Sequence, residues 1–311
     1  MVLKLNFKGL IAPVFTPFSR QTGDVNISII KPYAQYLINS GVNGVLVNGT
    51  VGEGVCMSVQ ERKTVLEAWL EVLKGTSLHV MVHIGGPCLR DVQDLARHAE
   101  SKGVSSLLCI PDLFHRPSNV EEAITFLSLV SEAAPNTPLL YYHIPASTGV
   151  HCEYSHFVDM AELLKVAERK VPTMSGIKFT HNNMDEASQC LEVNSENLSV
   201  LLGHDQLIST GFFVGFESLI ATTLNMFAPL IIEIHQGVKD SKINLVRAKQ
   251  KQLTTYVNTI IKYGKWVPAM KEAMLIVTGL DMGAARQPQG VVTPEQVKQL
   301  KADLSSLNVM K

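Results

Sequence analysis

Eight short apolar runs, each followed by a longer stretch of helical spacing, set the rhythm of this chain: GLIAPVFTPF, GVLVNG, HVMVHIGG, SSLLCIPD, PLLYYHIP, SGIKFT, LSVLLG and SLIATT. Near-continuous Val, Ile and Leu is what a parallel strand requires when helices cover one face and a barrel interior fills the other. The intervening segments, among them NISIIKPYAQYLINSG, SVQERKTVLEAWLEVLKG, LRDVQDLARHAESKG and NVEEAITFLSLVSEAA, space their apolar residues as amphipathic helices do, and several open on Asn or Ser caps and end at Gly. Eight such units close an α/β TIM (β/α)8 barrel, and 311 residues lie within the range of one barrel. An open doubly wound sheet is the alternative architecture, but no GxGxxG follows the first run to support dinucleotide binding. Strand patterning stops near residue 229, which assigns residues 1–228 to the barrel and 229–311 to a C-terminal helical extension packed on it.

Composition narrows the function. With 46% hydrophobic residues, 18% charged residues and a net charge of -1, the chain offers no basic surface for nucleic acid. Five scattered cysteines without a CxxC pair read as free thiols in a reducing compartment, which points to the cytoplasm. The opening MVLKLNFKGLIAPVF lacks the pattern of a secretory signal, and no apolar run reaches the roughly 18 residues of a membrane span.

In a TIM barrel the chemistry belongs at the C-terminal ends of strands and in the loops after them. NGTVGEG, residues 48–54, closes the second strand. Its glycines let backbone approach a ligand, and Thr50 with neighbouring amides suits a carboxylate; the alternative is an ordinary glycine-rich turn. YYHIPASTGV, residues 141–150, closes the fifth. Alternation along a strand forbids Tyr142 and His143 from both facing the barrel interior. A phenol there serves either proton transfer or packing.

SGIKFT places a lysine in the middle of a run that reads as buried. Lys178 shares a face with Gly176 and Thr180. Two readings stand: a structural ion pair with a carboxylate such as Glu53 or Asp205, or an amine kept neutral by apolar surroundings so that it can attack a carbonyl carbon. His79 and His83 fall on one strand face, but no carboxylate cluster accompanies them, and no metal or cofactor is expected. Serine-hydrolase elbows, P-loops and zinc-protease helices are missing.

Together these segments resemble the N-acetylneuraminate lyase family within the dihydrodipicolinate synthase superfamily of class I aldolases. GTVGEG is similar to that superfamily's GTTGE carboxylate loop, YYHIPASTGV to its Y-x-I-P-A-x-TG segment, and GIKFT to its G-x-K strand. The likeness extends through GHDQL, residues 203–207, to MKEAMLIVTGLDMGAARQP. It implies that Lys178 forms a Schiff base and that Tyr142 transfers protons. It further implies that Thr50 and the backbone of Val51 hold the substrate carboxylate, while Thr180, Gly203, Asp205, Gln206 and Thr222 contact the polyol. The implied reaction splits N-acetylneuraminate into N-acetylmannosamine and pyruvate, with no metal, in a homotetramer.

Departures from the family pattern bear on the aldehyde half of the site. Val51 stands where a second loop threonine is common, Gln206 replaces an acid, Ser147 replaces leucine, and His181-Asn182-Asn183 replaces an acid-containing segment. The absence of arginine at Ser147 argues against dihydrodipicolinate synthesis. Two alternatives remain open: a pyruvate-dependent aldolase for another 2-keto-3-deoxy sugar acid, and a sugar-acid binding protein without catalysis. The resemblance also implies an aromatic after the fourth strand that reaches a neighbouring active site; Phe114 is the candidate, although IPDLFHRPS departs from the family by an extra residue there.

Overall fold

All eight anticipated strands form, and they close in the order β1-β10-β9-β8-β5-β4-β3-β2 as a parallel barrel. The computed structural model describes residues 3–5, 7–153, 156–157, 159–193 and 196–309, the side chains of residues 152, 153, 156 and 157 excepted. The barrel strands are β1 (Leu10–Pro13), β2 (Gly44–Val47), β3 (His79–His83), β4 (Ser106–Cys109), β5 (Leu139–His143), β8 (Met174–Phe179), β9 (Ser199–Leu202) and β10 (Ser218–Ile220). A short antiparallel pair, β6 (Cys152–Glu153) and β7 (His156–Phe157), lies outside the barrel. Two-residue strands carry no periodicity, so this pair is invisible to hydrophobic patterning.

The helices are α1 (Ile30–Asn39), α2 (Val59–Leu73), α3 (Leu89–Ser101), α4 (Val120–Ala133), the single turn α5 (Pro145–Thr148), α6 (Met160–Lys170), α7 (Met184–Glu192) and α8 (Ile208–Val214). After β10 come α9 (Leu224–Lys239), α10 (Ile243–Ile261), α11 (Trp266–Thr278) and α12 (Pro294–Ser306). Their starts follow local chemistry. Ser58 and Glu61 form a reciprocal capping box on α2, and Thr293 and Gln296 form one on α12. Helix α9 begins five residues before the proline at which sequence patterning placed it. It kinks at Phe227 (φ -128°, ψ 29°) because Pro229 inside the helix removes a backbone donor.

Two compact units are distinguishable in the chain. One comprises the stretch up to Ile11, Gly44–Leu46 and His79–Ala221; the other comprises Ala12–Asn43, Val47–Leu78 and the stretch from Thr222 onward. In the first, Leu5, Ile11, Leu46, Met81, Leu108, Ile110, Leu140, Tyr142, Leu201 and Ile220 make one continuous core. All but Leu5 and Ile110 are inward positions of barrel strands, as a filled barrel requires. In the second, Tyr33 donates its hydroxyl to Asn225 Oδ1 at 2.6 Å, and Asn225 Nδ2 donates to the carbonyl of Pro13 at 2.8 Å. Cys56, Cys88, Cys109 and Cys190 are free thiols; the Cys152 side chain lies outside the described part. No helix among the described residues is long and apolar enough to cross a membrane.

Candidate active site

The pairing register brings the chemistry together. Tyr142 of β5 is paired with Lys178 of β8, and Lys178 in turn with Leu201 of β9. Tyr142 and Leu201 belong to the interior core, so Lys178 also points inward, into a layer of apolar and aromatic neighbours. Its Nζ stands 4.0 Å from the centroid of the Tyr142 ring, and the two residues are 4% and 2% exposed. No carboxylate forms an ion pair with Lys178 among the described residues. The ion-pair reading fails for Glu53 on positive grounds, because its carboxylate is occupied by Lys271 Nζ at 2.6 Å.

Glycines allow close approach of the strands beside the amine. Gly176 sits just after the register shift between Leu139 and Leu140, at φ +148°, and a Cβ there would come 2.0 Å from the carbonyl oxygen of Ser199. A Cβ on Gly203 would come 1.9 Å from Thr180 Oγ1 and 3.2 Å from Lys178 Cε. Lys178, Thr180 and Gly203 therefore share one small volume at the strand ends. Backbone bonds hold it: Thr180 N–H donates to His143 O at 2.8 Å, and Gly203 N–H to Phe179 O at 2.7 Å. Thr180 Oγ1 is buried without a hydrogen-bond partner, a donor-acceptor waiting for a polar ligand. Asp205 is buried at the start of a short turn of 3-10 helix, with Gln206 beside it.

His83 completes this cluster and was not anticipated. Its ring meets Tyr142 edge to face with centroids 5.9 Å apart. Sequence spacing paired it with His79, but His79 hydrogen-bonds Ser106 Oγ at 2.8 Å and stacks on Phe7, at the opposite end of the strand. Burial pulls the His79 imidazole down to about 4.

The loop after β2 is built for a fixed backbone shape. Asn48 and Glu53 both adopt left-handed conformations (φ 58° and 55°), which cost free energy for residues other than glycine. Partners hold them there. Asn48 Nδ2 donates to Arg62 O at 3.0 Å, and Thr16 Oγ1 donates to Gly52 O at 2.6 Å. The Glu53 carboxylate accepts from Arg286 N–H at 2.8 Å and Gln289 Nε2 at 2.6 Å, besides pairing with the fully buried Lys271. Burial pulls the Lys271 ammonium below the usual lysine range, although Glu53 opposes the shift. In this loop Thr50 is exposed and Val51 is buried. Thr222 is 6% exposed, and its hydroxyl accepts from the Trp266 indole N–H at 3.2 Å.

The arrangement of a buried amine, a phenol and a hydroxyl at adjoining strand ends suits imine chemistry on a small keto acid. The dihydrodipicolinate synthetase family profile matches residues 6–307. The chain belongs to this family. It is 32% identical over 309 residues to N-acetylneuraminate lyase of Gallus gallus, covering 99% of this chain and 98% of that protein. It is similar in structure to Proteus mirabilis N-acetylneuraminate lyase, with a TM-score of 0.91, 32% identity, and 98% and 99% of the two chains covered. A catalytic lysine mutant of Ruminococcus gnavus sialic acid aldolase superposes with a TM-score of 0.87 at 26% identity, over 99% of each chain.

Set among dihydrodipicolinate synthetase family members, the local departures acquire structural meanings. Asn183 caps α7 by accepting from Glu186 N–H at 3.2 Å, and His181 Nδ1 lies 3.3 Å from Glu186 Oε2. The His181–Asn183 segment thus serves the start of a helix. Ser147 lies exposed on the α5 turn, and Phe114 is 83% exposed on the loop after β4, its ring against His115. Tyr141 faces outward and is buried, which pushes its phenol well above the usual tyrosine range.

Proposed function

We propose that this protein is a lysine Schiff-base lyase that cleaves N-acetylneuraminate to N-acetylmannosamine and pyruvate. The observation that carries the reading is Lys178: an amine in the barrel interior against the Tyr142 ring, with no carboxylate partner among the described residues. Similarity to N-acetylneuraminate lyases over 99% of the chain supports the choice of substrate.

The neutral Lys178 amine adds to the C2 keto carbon, and loss of water leaves an iminium. Tyr142 accepts the proton of the C4 hydroxyl as the C3–C4 bond breaks, and the bond's electron pair moves into the iminium to give an enamine. Protonation at C3 and hydrolysis then release pyruvate after the aldehyde sugar. Because the iminium is the electron sink, the bond cleavage has no need of a metal. Thr50 and the Val51 backbone take the substrate carboxylate. Thr180, Gly203, Asp205, Gln206 and Thr222 take the polyol; the unpartnered Thr180 Oγ1 supports that assignment.

A second reading keeps the covalent chemistry and changes the aldehyde, supported by the hydroxyl-free, buried Val51 and the uncharged Gln206. A panel of 2-keto-3-deoxy sugar acids assayed for pyruvate release separates the two. The first requires the highest kcat/KM for N-acetylneuraminate; preference for another acid establishes the second, and binding without pyruvate release overturns both. The same reading carries a cytoplasmic homotetramer, which light scattering on the purified protein tests.

A further inference from the structure

His143 has no part in the chemistry above, and its surroundings call for an explanation. Tyr142 faces the interior, so alternation turns His143 to the outer face of the barrel, against the Phe179 ring at 5.0 Å. It is 0% exposed, yet among the described residues its Nδ1 has no hydrogen-bond partner and its Nε2 comes no closer than 3.6 Å to a carboxylate oxygen of Glu186. Two further donors converge on it. His181 follows β8, and Glu186 lies in the first turn of α7 with its backbone fixed by the Asn183 cap. His143 Nε2 is 3.6 Å and His181 Nδ1 3.3 Å from Glu186 Oε2, and all three donors lie within 4.8 Å of one another. The second carboxylate oxygen, Glu186 Oε1, is also buried and unpartnered.

Hydrogen bonding joins His181 to one carboxylate oxygen but leaves the wholly buried His143 Nε2 at 3.6 Å from that oxygen, longer than a hydrogen bond, and Glu186 Oε1 with no partner among the described residues. A cation bound by His143 Nε2 and the Glu186 carboxylate accounts for both. Nitrogen and oxygen ligands about 2.0–2.2 Å from a tetrahedral zinc ion stand roughly 3.3 Å from each other, close to the two separations to Glu186 Oε2. We propose that His143, His181 and Glu186 form a site for one divalent transition-metal ion of the zinc class. Two imidazoles and one carboxylate suit zinc, cobalt or nickel over magnesium or calcium. The His181 side chain is 30% exposed, which gives an ion a route in from solvent.

The ion ties together elements that bear on the reaction without entering it. His143 follows Tyr142, His181 follows Thr180, and Thr180 N–H already bonds His143 O at 2.8 Å. Bound metal clamps the ends of β5 and β8 to α7 on the side of the sheet away from the amine.

Cobalt titration of the full chain, freed of metal by a chelator, tests the site. The expected result is one cobalt ion per chain with the intense visible absorption of a tetrahedral site, displaced by zinc, and a rise in Tm with zinc. His181→Ala and Glu186→Gln, both at partly exposed positions, should weaken cobalt binding by more than the ~10–100-fold typical of losing an outer-shell partner. The exposed-loop control His115→Ala should leave it unchanged. Circular dichroism confirms that the variants are folded. Absence of the absorption, or binding that survives both ligand substitutions, overturns the proposal. The readout uses no substrate, so it stands apart from the lyase assay.

Discussion

Lys178 Nζ lies 4.0 Å above the Tyr142 ring, on neighbouring strands paired residue to residue. The ring and the hydroxyl of Tyr142 therefore have separable duties: one packs against the amine, the other moves a proton. Tyr142→Phe keeps the first and removes the second. Pyruvate release should fall about 10²–10⁴-fold, the range for loss of a general acid-base group, while borohydride trapping of pyruvate on Lys178 persists. Loss of trapping together with turnover would mean that the hydroxyl is needed to form the imine.

Gly203 lets Thr180 and Lys178 pack against bare backbone. Gly203→Ala places a methyl group 1.9 Å from Thr180 Oγ1 and 3.2 Å from Lys178 Cε. The variant should trap pyruvate poorly, and Thr180→Ala in the same chain should restore part of the trapping by removing the oxygen the methyl meets. Substitutions in contact are not additive, and the double variant measures that coupling. Equal trapping in Gly203→Ala and the parent would contradict this geometry.

The buried pair Lys271–Glu53 (2.6 Å) holds Glu53 in its left-handed conformation. Lys271→Met leaves a buried carboxylate without its cation, which should lower stability by about 3–5 kcal/mol. Lys271→Met with Glu53→Gln should cost less than the sum of the single changes. Urea denaturation followed by circular dichroism supplies the three values, and additivity would show that the two side chains do not act as a pair.

Arg286 hydrogen-bonds the Glu61 carboxylate and holds it down to about 2. A folded-state value below the unfolded one contributes stability above the ordinary glutamate range near ~4.3, lost as pH falls toward the folded value. The stability difference between the parent and Glu61→Gln should thus be full at pH 7 and shrink as pH falls from about 4.5 toward about 2. Denaturant melts at several pH values check this; a difference that is constant with pH would dissociate Glu61 from acid unfolding.

Much of the barrel was legible because buried parallel strands are apolar throughout, and Lys178 stood out against that background for the same reason. Tyr142, Thr180 and Gly203 became site residues by way of family motifs, and the register β5-β8-β9 then supplied their contacts. What escaped depends on distant partners. His83 meets Tyr142 across strands, Glu53 finds Lys271 at 218 positions' remove as their numbers show, and the His143, His181 and Glu186 cluster draws on two strand ends and a helix start. No local period encodes such meetings. Glu53 is a candidate partner for Lys178 by sequence, but Lys271, in an apolar helix pattern, gives no sign there of competing for it.

Incubating the full-length protein with pyruvate and borohydride, followed by intact-mass measurement and peptide mapping, tests the central claim most directly. One reduced pyruvate imine per chain, located on Lys178 and lost in Lys178→Met, is the predicted result. An unmodified chain, or an adduct on any other lysine, would contradict the account.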